Sequence, residues 1–102
     1  MTEHEENILA LLIVEKKAFA DAYNLCRVLA RRFDIIACSE IINRIKKMNY
    51  VTITYPKTPT LEFFHLTEDG RKILEQERSS LGKRLMEGFP QHADFIENLV
   101  AR

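Results

Sequence analysis

The sequence predicts a mainly helical domain with one two-stranded β-hairpin, its elements in the order α-α-α-β-β-α-α. Three observations carry that expectation. Ile41, Ile42, Ile45 and Met48 recur at helical spacing while Asn43, Arg44, Lys46 and Lys47 take the other side. Val51-Thr52-Ile53-Thr54-Tyr55 is β-branched or aromatic throughout, and a Pro-Lys-Thr-Pro turn separates it from the run Leu61 to Leu66, as in a hairpin. Thr67-Glu68-Asp69-Gly70 then reads as the start of a new helix, with a capping hydroxyl and two acids in its first turn.

The remaining elements follow in order. Thr2 and Glu5 have the spacing of a capping box, so helix one should run from about Glu3 to Glu15. Its centre, Ile8 to Val14, is apolar on every side and should be covered twice, by the domain's own core and by either a partner subunit or the chain's last helix folding back over it. Lys16-Lys17 marks a loop. Helix two lies within Ala18 to Phe33, capped by Asp21, with Leu25, Val28, Leu29 and Phe33 inward and Arg27, Arg31 and Arg32 outward. Asp34 begins a turn, and helix three extends from about Ile36 or Ser39 to Asn49, a residue that tolerates left-handed backbone at a helix end. Pro56 and Pro59 should end the hairpin strands, because proline cannot donate to a ladder.

Helix four continues from Thr67 through Leu74, Leu81 and Leu85 to near Gly88, with Gly70 bare of a side chain where it approaches the hairpin. Pro90 blocks continuation, and a last helix from about His92 to Ala101 offers Phe95, Ile96, Leu99 and Val100. The expected organisation is one domain over residues 1–88 and a helical extension over 89–102 that belongs to it or to a dimer interface. Leu11, Leu25, Leu29, Ile42, Ile45, Phe63 and Leu66 should form the core. The apolar excess of helices one, four and five predicts a homodimer through them.

Bulk composition narrows the function. At 102 residues, 46% hydrophobic and 29% charged, the chain is globular and large enough for a modest core. No apolar run approaches a membrane span, and the acidic start (Glu3, Glu5, Glu6) does not resemble a signal peptide. Cys26 and Cys38 have neither a framework nor a metal spacing and read as buried thiols of a cytoplasmic protein. The histidines at 4, 65 and 92 share no ligand spacing, and His65 reads as a solvent-facing strand residue. No phosphate loop, nucleophile elbow or metalloprotease motif is present, so no enzymatic activity, metal or cofactor is expected.

Charge is distributed unevenly. The net charge is zero, yet residues 23–57 hold seven cations (Arg27, Arg31, Arg32, Arg44, Lys46, Lys47, Lys57) against Asp34 and Glu40, a balance of +5. An exposed helix face beside a hairpin, with a local cation surplus, is the arrangement of a winged helix-turn-helix. Ser39, Asn43, Arg44 and Lys47 step by about a turn along helix three. Asparagine can pair bidentately with adenine, arginine with guanine, and lysine with guanine or phosphate. Lys46, Arg27, Arg31 and Arg32 and the hairpin's Lys57 would contact phosphates.

The chain from about residue 5 to 88 resembles winged-helix transcriptional regulators of the MarR and PadR type. Ile45, Met48, Tyr50 and Val51 stand in the run that ends their recognition helix, and Leu66, Thr67, Gly70 and Arg71 match the run that ends their wing. Asn49 replaces the usual glycine, and the wing tip carries a single cation, Lys57, where those families commonly place several. The resemblance implies a regulator that binds double-stranded DNA, with a recognition helix over about 36–49. The weakly basic wing and zero net charge favour an alternative, a winged-helix module that docks protein and not DNA.

Overall fold

The computed structural model describes all 102 residues as five α-helices and one two-stranded antiparallel sheet. The elements are α1 (Glu3–Val14), α2 (Ala22–Phe33), α3 (Cys38–Lys47), β1 (Val51–Thr54), β2 (Phe63–Leu66), α4 (Glu68–Gly88) and α5 (Ala93–Val100). Two 3-10 turns, Lys17–Phe19 and Pro90–His92, precede α2 and α5. This is the order expected, with shorter ends: the stretch from Ala18 to Asp21 stays outside α2.

Local chemistry sets these boundaries. The Thr2 hydroxyl accepts from the Glu5 amide at 3.1 Å and the Glu5 carboxylate accepts from the Thr2 amide at 3.0 Å, closing the capping box. Asp21 Oδ1 caps α2 by accepting from the Asn24 amide, and the Thr67 hydroxyl caps α4 by accepting from the Gly70 amide. The last turns of α2 and α3 are followed by Asp34 and Asn49 at φ 55° and 59°, the two residue types that best tolerate left-handed backbone after glycine.

The hairpin pairs Val51 with Leu66 and Ile53 with Phe64. Its second strand is extended sideways by the segment before α2. The Phe64 amide donates to the Ala20 carbonyl, the Ala22 amide donates to the Glu62 carbonyl, and Asp21 bridges Phe63. The root of α2 is thereby stitched to the hairpin.

Helix α1 is the axis of the core. Every residue from Asn7 to Val14 is buried, and α2, α3, α4, α5 and β2 all pack against it. Leu74, Leu81 and Leu85 of α4 and Ile96 and Leu99 of α5 are buried within the same chain. The second layer over α1, expected from a partner subunit or from the last helix, is therefore supplied by the chain itself. The apolar excess of helices one, four and five is consumed internally and no longer argues for a dimer, because α5 folds back over α1 and α4.

Two other expectations change, and one buried charge was not foreseen. Phe64, not Phe63, points into the core, because adjacent strand residues face opposite sides; Leu66 is also only half-buried. Arg78, a charge among the apolar positions of α4, is buried at 5% exposure. Its guanidinium donates to Glu15 at 2.6 and 2.9 Å, to Glu75 at 2.9 Å and to the Val100 carbonyl at 3.2 Å, joining α4 to the ends of α1 and α5. Finally, Cys26 and Cys38 are joined as a disulfide and are not free thiols. The turn over residues 34–37 brings their Cα atoms to 5.4 Å, within bridging range.

Candidate nucleic-acid interface

Helix α3 is amphipathic, and its orientation decides which polar residues reach solvent. Ile41, Ile42 and Ile45 are buried against α1, and Cys38 is fastened to α2. That leaves Ser39, Glu40, Asn43 and Lys47 exposed. Ser39, Asn43 and Lys47 fall four residues apart and form one strip along the helix. Lys47 takes part in no ion pair within 4.0 Å, so its ammonium is available to an external anion.

Two cations expected on that strip are placed elsewhere. Arg44 turns towards α1, where its Nε donates to the buried Asn7 side chain at 2.8 Å and its Nη2 pairs with Glu6 at 2.8 Å. Glu3 lies at 3.9 Å from the same guanidinium. Lys46 turns the opposite way and pairs with Glu62 beside β2 at 2.6 Å. Both therefore brace α3, one to α1 and one to the hairpin, and the strip between them is left with asparagine, serine and a single lysine. Nothing in the local spacing distinguishes Lys46 or Arg44 from Lys47. Their acidic partners are 16 and 38 residues away in sequence.

The cations of α2 and the hairpin are also separated from the strip. Arg27, Arg31 and Arg32 are exposed and line a cleft shared with Phe19, Asn24, Val28 and Phe95. Cys26 meets α3 through the disulfide, whereas this cleft opens between α2, the first 3-10 turn and α5. Lys57 lies at the hairpin tip, with its ammonium 5.8 Å from the Phe63 ring centroid. His65 is exposed and shares a 2.8 Å hydrogen bond with the Thr54 hydroxyl across the hairpin.

The strip is bordered by apolar surface. Ile36, in the turn before α3, is 90% exposed, and Met48, just after it, is 49% exposed. With Tyr23 on α2 and Tyr55 at the end of β1, they account for every large exposed hydrophobic side chain except Met1. All four fall between residues 23 and 55, the same stretch that holds the cation surplus.

No helix is long and apolar enough to cross a membrane. The chain matches no family model, no curated protein and no solved structure.

Proposed function

We propose that the chain is a winged helix-turn-helix that binds double-stranded DNA, with α3 entering the major groove and the β1–β2 hairpin serving as the wing. The observation that carries this reading is the exposed Ser39, Asn43 and Lys47 strip on a helix held rigidly on both flanks. A probe helix must present a few donors and acceptors from a fixed frame, and the pairing of Arg44 and Lys46 with acids supplies the frame. Asn43 is the base-reading residue of this arrangement and Lys47 the phosphate or guanine contact. Arg44 and Lys46, expected among the DNA contacts, act here as braces. The test is fluorescence anisotropy on a random duplex over a range of salt. Saturable binding that weakens linearly with log salt is expected, and no binding even at low salt would overturn the reading.

A second reading has its own support. Ile36, Met48, Tyr23 and Tyr55 expose apolar surface on the elements that would face DNA, and a protein partner would cover it. Ile36→Ala, which trims the apolar surface without changing charge, weakens a protein partner's binding and leaves the salt dependence of duplex binding unchanged, which separates the two readings.

Pairing of two copies retains one surface in the folded chain, a shallow groove between α4 and α5 where Met86, Val100 and Ala101 are flanked by Lys83, Glu87 and Glu97. Sedimentation at micromolar concentration decides it: a mass of 11.9 kDa means that the free chain does not pair.

A further inference from the structure

The chain has eight arginines, and their partners divide them sharply. Arg44, Arg78, Arg84 and Arg102 each pair with a glutamate. Arg27, Arg31, Arg32 and Arg71 have no carboxylate within 4.0 Å, and three of these four line one cleft.

That cleft lies between α2, the 3-10 turn at Lys17–Phe19 and α5, with a volume of about 270 Å³, room for a compact group and not for a large ligand. No acidic residue lines it. One wall is apolar, formed by Phe19, Val28 and Phe95, with the Phe19 and Phe95 rings tilted against each other at 5.9 Å. Arg32 is held in place before any ligand arrives: its guanidinium carbon sits 4.4 Å from the Phe95 ring centroid, and Nη1 donates to His92 Nδ1 at 3.4 Å. Arg27 and Arg31 stand four residues apart on one helix face, a like-charge spacing that costs stability when nothing neutralises it.

Three uncompensated guanidiniums around an apolar-walled cleft form a polyanion receptor. A planar carboxylate offers two oxygens to one fork, whereas a phosphoryl dianion offers three and can engage several forks together. We propose that this cleft binds a phosphoryl group carried by a small organic ligand, with Arg27 and Arg31 closing on its oxygens, Arg32 as the pre-set third donor, and the organic part against Phe19 and Val28. The cleft opens towards α5, apart from the α3 strip, so the inference does not depend on α3 binding DNA.

The experiment is a calorimetric titration of the full chain with phenyl phosphate and, separately, with pyrophosphate, at constant ionic strength set with sodium chloride. Saturable one-site binding is expected, weakened at least tenfold in Arg27→Ala/Arg31→Ala and unchanged in Asn43→Ala/Lys47→Ala. Circular dichroism establishes that both variants fold. Absence of saturable binding of either probe, or equal binding by the double-arginine variant, overturns the proposal. A duplex-DNA arm identifies the source of the phosphoryl group. Competition by duplex with phenyl phosphate, with a salt slope flattened by about two units in the double-arginine variant, assigns the site to a DNA backbone phosphate. Duplex binding with an unaltered slope assigns it to a free phosphorylated ligand.

Discussion

Arg44 on α3 donates through Nε to the side chain of Asn7 on α1, 2.8 Å away, and Asn7 is 5% exposed. A buried amide oxygen needs a donor, and here it takes one from the helix that carries the candidate interface. The orientation of α3 is thus written partly in α1.

Arg44→Ala should therefore act on stability. It removes two charge-assisted hydrogen bonds and leaves the Asn7 oxygen without this donor, a loss of about 1–3 kcal/mol. Urea denaturation of the variant measures it. A variant as stable as the parent, with altered sequence preference on DNA, would restore Arg44 to the contact surface.

Asn43 and Lys47 should separate by mechanism. Asn43→Ala should relax base preference at one position by about 1–3 kcal/mol, while Lys47→Ala at a phosphate should weaken all duplexes alike and flatten the salt slope by about one unit. Binding curves on a randomised duplex pool distinguish them. If neither variant changes affinity, α3 does not enter the groove.

The Cys26–Cys38 bridge closes a loop across the turn between α2 and α3, with a sequence separation of 12 residues. Loop-closure entropy for that length is worth about 3 kcal/mol against the unfolded chain. Adding dithiothreitol, or replacing both cysteines by serine, should lower stability by up to that amount. Alkylation of the folded, unreduced chain should leave both sulfurs unmodified; labelling of either would remove the bridge from the argument.

Arg78→Leu tests the buried junction of α1, α4 and α5. Removing the guanidinium takes charge-assisted hydrogen bonds from Glu15 and the Val100 carbonyl, and because Glu15 keeps partial access to water the loss is about 1–3 kcal/mol. Thermal melts should show the loss, and its partial recovery in Arg78→Leu/Glu15→Gln. A neutral Arg78→Leu would mean that the junction is held by apolar packing alone.

Glu5 gives the acid side of the stability profile a specific shape. The Thr2 backbone amide, then the Arg84 guanidinium, hold its carboxyl down to about 2, against an ordinary 4.5. A carboxyl depressed on folding stabilises fully above its unfolded value, and that contribution fades as pH falls from about 4.5 to about 2. The melting temperature of the parent should exceed that of Glu5→Gln at neutral pH, and the gap should close on acidification across this interval. A constant gap would disprove the linkage.

The pattern of what could be read in advance follows sequence distance. Thr2, Asp21, Thr67, Asp34 and Asn49 act within a few residues of themselves, so caps, turns and element order were legible. The Ser39, Asn43 and Lys47 strip follows from periodicity alone. Arg44 and Lys46 share the same helix, but their roles depend on Glu6 and Glu62, which only tertiary packing brings near. Arg78 is the extreme case, a charge in an otherwise ordinary helix whose partner Glu15 lies 63 residues away. The cover over α1 stayed open between a second chain and α5, because apolar content measures how much must be buried, not who buries it. Cys26 and Cys38 looked unrelated because spacing alone does not reveal that a turn folds them together.

The hairpin has a fixed root and an exposed tip. The Thr67 amide donates to the Tyr50 carbonyl, the Thr67 hydroxyl donates to the Asn49 carbonyl, and a Cβ on Gly70 would collide with the Tyr50 backbone. The strand entry is thus clamped against α4, while residues 55–60 at the far end are all exposed. Lengthening that end is inexpensive, since doubling a flexible loop costs only about 0.6 kcal/mol. The domain can accordingly change how far its hairpin reaches, and what charge it carries there, without renegotiating the body that aims it.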